Sequence, residues 1–199
     1  TSGQARCWGN NNNKQTSVPK GLGPITQISV GNSATCAVLS NQTAKCWGSA
    51  PAVPSSLGKV IRIETAWGTS CAITTLFAVK CWGINDQGQT KVPLGLGSTY
   101  QLVLGYKFAC ALSSDGLSSC WGINDQGQTS RFVEPIRFTQ ISAGYAHVCG
   151  LKEDASSECW GANGSNQSIK EPSTGDISDV TDFDVNENQA CYTNSEHLL

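Results

Sequence analysis

Ten cysteines are the residues best placed for chemistry, and their spacing sorts the possibilities. Five lie in C-W-G triplets: Cys7, Cys46, Cys81, Cys120 and Cys159. The others are Cys36, Cys71, Cys110, Cys149 and Cys191, and four of these stand ten residues ahead of a triplet. Zinc sites use short C-x(2–4)-C pairs with histidine or more cysteine nearby, and no such pair occurs. An even, regular array reads as a disulfide framework, with Cys36–Cys46, Cys71–Cys81, Cys110–Cys120 and Cys149–Cys159 as its rungs. Such a framework implies an oxidising compartment, secreted or cell-surface, and leaves no thiolate to act as a nucleophile.

Acid–base chemistry has little to work with. There are two histidines, His147 and His197, and no G-x-S-x-G elbow; Gly68-Thr69-Ser70-Cys71-Ala72 is a near miss. Six acids and no base fall between Glu171 and Glu187, and Asp182, Asp184 and Asn186 alternate as calcium ligands could. An EF-hand loop needs glycine at its sixth position, however, and Glu187 stands there. The expectation is therefore a protein without cofactor or metal that binds and does not catalyse. A net charge of −2, with no cluster of lysine or arginine, offers no basic face to nucleic acid. No apolar run approaches the length of a membrane span, so no membrane insertion is expected.

The string CWGINDQGQT occurs at residues 81–90 and again, unchanged, at 120–129. It either builds one corner twice or binds one ligand twice. For the corner, Trp82 and Trp121 would pack between neighbouring elements, Gly83, Gly88, Gly122 and Gly127 would permit tight turns, and Asn85 and Asn124 would bond their own backbone. For the ligand, Asn85, Asp86, Gln87, Gln89, Asn124, Asp125, Gln126, Gln128 and Asn163 would line repeated clefts suited to sugar hydroxyls. Weak clefts repeated around one molecule gain strength by avidity. A carbohydrate or glycoprotein ligand, bound in lectin fashion, is the leading expectation. The alternative is a protein-interaction ectodomain or inhibitor using one face, with Phe77, Tyr106, Arg131 and Phe132 as contacts. Asn41, Asn163 and Asn166 head N-x-S/T sequons, consistent with a glycoprotein.

The elements that must position these residues are strands. The triplets recur at intervals of 39, 35, 39 and 39 residues, so the chain is a repeat protein. Each unit opens with an alternating segment (ITQISVG, VIRIETA, YQLVLG, FTQISAG, VTDFDVN). A short apolar strand around the first cysteine, a polar turn and the strand into C-W-G follow. Gly31, Ala66, Gly105, Gly144 and Asn186 share one slot, which suggests a backbone position with φ above zero, displaced in the short repeat to Gly68. Cys191 lacks a following triplet and Cys7 lacks a preceding partner. The expected fold is one all-β domain over 1–199, a five-bladed β-propeller whose last blade the N-terminal strand completes. A Cys7–Cys191 bridge would then weld the ring. The four short bridges would contribute ~2.5–3 kcal/mol each and the long one ~5 kcal/mol in the chain-entropy model. Trp8, Trp47, Trp82, Trp121 and Trp160 are the structural tryptophans of this scheme. Asn10 to Asn13 read as a mobile polar tip.

Trp82-Gly83-Ile84-Asn85-Asp86-Gln87-Gly88-Gln89, its copy at 121–128, and Gly144-Tyr145-Ala146-His147-Val148-Cys149-Gly150-Leu151 together resemble the regulator of chromosome condensation repeat family. The resemblance implies propeller blades, usually seven of them, and a structural slot for His147. The cysteine before W-G is similar to the extracellular, crinkly-type receptor branch. Disulfides and an acidic pI of about 5.6 speak against the nuclear members' GTPase and chromatin work.

Overall fold

The computed structural model describes residues 3–130, 132 and 134–164, and the strand backbone at 180–185 and 190–194. Every regular element among them is a strand. Four antiparallel three-stranded sheets follow one another along the chain. They are β1 (Ile25–Val30), β2 (Ala34–Leu39) and β3 (Ala44–Gly48); β4 (Val60–Ala66), β5 (Thr69–Thr74) and β6 (Val79–Gly83); β7 (Thr99–Gly105), β8 (Phe108–Ser113) and β9 (Ser118–Gly122); and β10 (Gln140–Ala143), β11 (His147–Leu151) and β12 (Ser157–Gly161). A two-stranded pair, β13 (Val180–Val185) and β14 (Ala190–Asn194), comes last.

The middle strands explain the architecture. ATCAVL, TSCAIT, FACALS and HVCGL are buried nearly end to end. A strand with both faces covered carries continuous apolar and small residues in place of alternation. The cover comes from neighbouring sheets, because each core is a seam between consecutive blades. Cys36 and Val38 of the first sheet pack with Ile63, Ala72 and Trp82 of the second. Cys71 and Ile73 pack with Leu102, Ala109 and Trp121 of the third, and Cys110 and Leu112 with Phe138, Ile141 and Val148 around the fourth. Burying each such side chain stabilises by ~1.5–3 kcal/mol. The first strands, β1, β4, β7 and β10, contact one another in that order and line a common axial channel.

Each middle strand meets its C-W-G strand with the two cysteines directly opposite. Disulfides join Cys36 to Cys46, Cys71 to Cys81, Cys110 to Cys120 and Cys149 to Cys159, with Cα atoms 4.0 Å apart in each. A cross-strand pair of an antiparallel ladder is close enough to bridge, which is why ten-residue spacing repeated in sequence becomes a rung in space.

One expectation is corrected. The slot at Gly31, Gly105 and Gly144 does not lie at positive φ. At Gly31 and Gly105 glycine is required by crowding: a Cβ at Gly31 would sit 2.7 Å from the Thr65 carbonyl oxygen, and one at Gly105 would enter the Phe108 ring. The left-handed residues follow the slot, at Trp67, Gly68 and Lys107. Residues 3–8 form no strand, Cys7 is a free, half-buried thiol and Trp8 is 87% exposed. This segment is held at its start, where the Ile25 N–H donates to the Gly3 carbonyl (2.7 Å). The side chain of Cys191 lies outside the described residues, as do Arg131, Asn166 and most of the acidic stretch.

Candidate functional site

The C-W-G strand ends in a corner, and the corner is assembled from its own side chains. The Asn85 Oδ1 accepts from the Thr90 N–H (3.0 Å) and the Asn124 Oδ1 from the Thr129 N–H (2.9 Å). Gln89 and Gln128 are 1% and 2% exposed, and their side-chain oxygens accept from the N–H groups of Gln87 and Gln126. Asn10 to Asn13, expected as a mobile tip, belong to the same corner over residues 10–16: Asn11 accepts from Thr16 and Gln15 from Asn13. Each corner then receives the tryptophan of the next blade. The indole N–H of Trp47, Trp121 and Trp160 donates to the carbonyls of Gln15, Gln89 and Gln128 at 2.9–3.0 Å. Trp82 reaches Pro51 at 3.4 Å, where the short repeat has lost its asparagine and glutamine. Gln89 and Gln128 therefore point inward, away from any rim. Asn85, Asp86, Gln87, Asn124, Asp125, Gln126 and Asn163 are exposed.

The corners share one end of the molecule, the upper face, with the first hairpins. Ile84 N–H donates to Gly68 O, Ile123 to Lys107 O and Ala162 to Ala146 O. In the residue after the crowded slot, three consecutive hairpins carry Trp67, Tyr106 and Tyr145. Tyr106 and Tyr145 stack with ring centroids 4.6 Å apart, and Trp67 meets both nearly perpendicularly at 5.2 and 5.5 Å. The Tyr106 N–H also donates to the Tyr145 carbonyl. Trp67 and Tyr145 line a cavity of about 300 Å³ at the channel mouth, and Tyr106 stacks behind Tyr145. Lys107 Nζ lies 5.5 Å from the Tyr106 ring centroid and 2.5 Å from Asp86 Oδ2, tying the corner to the aromatic rim. That ammonium, with Gln89 second, holds the Asp86 carboxyl below its ordinary range, and Asp86 holds Lys107 above its own.

Below the mouth the channel widens to a polar cavity of about 550 Å³. Burial pushes the Glu64 carboxyl above the usual carboxylate range, against the Ser29 hydroxyl that donates to it (2.8 Å) and nearby Arg62 (3.5 Å). Glutamines stitch adjacent first strands: Gln27 donates to the Ile63 carbonyl and accepts from the Ile63 N–H, both at 2.9 Å. Gln101 does the same to Ile141, at 2.8 and 2.9 Å. In this slot β10 has Gln140 and β4 has Arg62. His147 is fully buried with neither ring nitrogen hydrogen-bonded, and desolvation lowers its pKa.

Sequence reasoning passed over the aromatic rim and the glutamine stitches, although the recurrent T-Q-I-S and the ring after the glycine slot were signals for both. It also grouped Phe77, Tyr106 and Phe132 on one face. Phe77 lies at the opposite end of the strands, on the β5–β6 turn, and Phe132 packs between Phe138 and Trp160. Among the described residues, no group of three or more His, Cys, Asp or Glu side chains could hold a metal.

Residues 25–50, 100–128 and 138–167 match the family model of the regulator of chromosome condensation repeat. Curated protein sequences return no significant match. Among solved structures, the ectodomain of the Physcomitrella patens receptor kinase CR4 aligns with a TM-score of 0.80 at 23% identity, over 100% of this chain and 55% of that one. The CRINKLY ectodomain of the Arabidopsis thaliana receptor kinase ACR4 aligns at 0.78 and 24%, over 98% and 73%. Prp20p of Saccharomyces cerevisiae, a protein whose binding to Gsp1p and histones has been measured, aligns at 0.72 and 18%, over 89% and 57%. At these identities the likeness is one of fold. The chain spans about half the length of the first of these relatives.

Proposed function

We propose that this chain, built from regulator of chromosome condensation repeats, is an extracellular, non-enzymatic module that takes a protein partner on its upper face. The observation that carries the reading is the cluster of Trp67, Tyr106 and Tyr145 at the channel mouth. Tryptophan and tyrosine dominate interface hot spots because they bury large area with few rotatable bonds. Here they stand on hairpins fixed by disulfide-stapled strands, so little ordering entropy is lost on binding. Four disulfides and the receptor ectodomain relatives support an extracellular setting. Capture from an extracellular proteome on immobilised wild type and on Tyr106→Ala/Tyr145→Ala tests it. The reading expects a protein retained by wild type and lost by the variant. It fails if the retained proteins are the same for both.

A carbohydrate ligand at the corners is the second reading, supported by the exposed amides of Asn85, Gln87, Asn124, Gln126 and Asn163 and the carboxylates of Asp86 and Asp125. The inward Gln89 and Gln128 reduce the repeated cleft it relied on. Selective binding on a glycan array, abolished by Asn124→Ala, would favour it over the protein reading.

Closure of the chain into one five-repeat propeller belongs to the same proposal. Gly3 has the left-handed conformation found at Gln42, Phe77 and Gly116, and its carbonyl caps Ile25 as theirs cap Val60, Thr99 and Phe138. This supports residues 3–9 as the third strand of a blade beside the first, and among the described residues β14 pairs with β13 alone. Ile28, whose counterparts Ile63, Leu102 and Ile141 are buried, is 41% exposed on the open flank. Non-reducing peptide mapping that links Cys7 to Cys191 would support closure. Cys7 alkylated in the native protein would end it.

A further inference from the structure

The repeats act as one another's controls, and the second breaks their rule on the lower face. At the β2–β3, β8–β9 and β11–β12 turns, Asn41, Asp115 and Asp154 each accept a hydrogen bond from the N–H two residues on, at 3.1, 3.2 and 2.9 Å. Gln42, Gly116 and Ala155 then take the left-handed conformation. At the β5–β6 turn these two places hold Leu76, which cannot cap, and Phe77, a bulky residue forced to φ 59°. Leu76 is 85% exposed and Phe77 47%. The turn is tied to both flanking strands: Thr75 N–H donates to Lys59 O and Thr99 N–H to Phe77 O. Those ties bring it beside Ile61 and Tyr100, exposed bulge residues where the first and fourth repeats have Thr26 and Thr139. Leu94, on the loop into β7, is wholly exposed where Lys20 and Ser55 stand elsewhere. The Ala78 N–H falls to the Thr74 hydroxyl instead, at 3.3 Å; exposed apolar side chains at a left-handed turn mark a surface kept for something other than stability.

Charge identifies what it fits. Across residues 58–62 and 74–80 the charged side chains are Lys59, Arg62 and Lys80, with no carboxylate, in a chain that is acidic overall. Arg62 is paired with Glu64, whereas Lys59 and Lys80 meet backbone carbonyls of Asn41, Ser56 and Leu57 that leave their charge uncompensated. We propose that this lower-face patch docks a peptide segment of a protein partner that carries apolar side chains flanked by aspartate or glutamate. The site is distinct from the aromatic rim and stands or falls without it.

The test is selection of randomised peptides on the full oxidised chain, with each enriched peptide re-measured on Leu76→Asn/Phe77→Gly. That variant installs residues the sister turns already use, so it should fold and melt no lower than wild type. Expected are peptides pairing Leu, Ile, Phe or Trp with acids, whose affinity falls about tenfold or more on the variant and drops with salt. Their binding should be unchanged on Tyr106→Ala/Tyr145→Ala. If the double variant misfolds, Phe77→Ala, the residue at Ala155, takes its place. Equal binding to both proteins, enrichment of basic peptides, no enrichment, or a wild-type dimer dispersed by the variant each overturns the proposal.

Discussion

Replacing Gln27 or Gln101 with methionine should weaken the ring at one seam, and the size of the effect follows from what each amide does. The Gln27 carboxamide satisfies both the N–H and the carbonyl of Ile63, and Gln101 satisfies those of Ile141. Ile63 and Ile141 are 0% and 1% exposed. Methionine fills the same volume but leaves two backbone groups unpaired, at ~1–3 kcal/mol each when buried. Partial access from the channel brings the sum to ~2–4 kcal/mol, or a fall in Tm of ~5–12 °C for a chain of this size. Chemical denaturation monitored by tryptophan fluorescence reads it directly. Arg62→Met is the internal control, because Arg62 occupies the same slot without stitching the next strand, and its partly exposed pair with Glu64 is worth ~0–1 kcal/mol. The two glutamine effects should also add, since they lie at separate seams. If Gln27→Met and Gln101→Met cost no more than Arg62→Met, the stitches are not what joins the first strands.

His147 should lose stability in acid. Its folded pKa is depressed from 6.5 by burial, so the unfolded chain binds the proton first and stability falls as pH drops below ~6.5. His147→Phe, the residue at Phe108, should flatten that part of a Tm–pH profile. Glu64 has the opposite sign: burial raises its pKa from 4.5, so stability declines as pH climbs through that window. Glu64→Gln should therefore melt higher than wild type at neutral pH, with the gap closing below pH ~4.5. Gly122→Ala should destabilise by more than ~3 kcal/mol, because φ is 108° and the new Cβ would lie 2.4 Å from Lys107 O. Gly88→Ala, at φ 81° in open space, should cost only ~1 kcal/mol, and urea midpoints for the two would separate clash from strain.

The period, the strands and the four rungs were legible because each is a local pattern repeated, and repetition averages out the ambiguity of any one segment. The N-terminal segment was harder: Cys7 and Trp8 copy Cys46 and Trp47 in sequence, but whether a strand forms there depends on a neighbour far away in the chain. Gln89 and Gln128 misled for a related reason. A glutamine in a polar loop reads as solvent-facing, yet here it is buried because the next blade's tryptophan closes over it. The aromatic rim went unseen since Trp67, Tyr106 and Tyr145 are about 39 residues apart and meet only when three hairpins converge on one axis.

Hydrogen–deuterium exchange of the intact chain with and without a captured protein partner tests the upper-face reading most directly. Protection concentrated at residues 66–68, 105–108 and 144–146 is the predicted result. Protection that spares all three hairpins would contradict it.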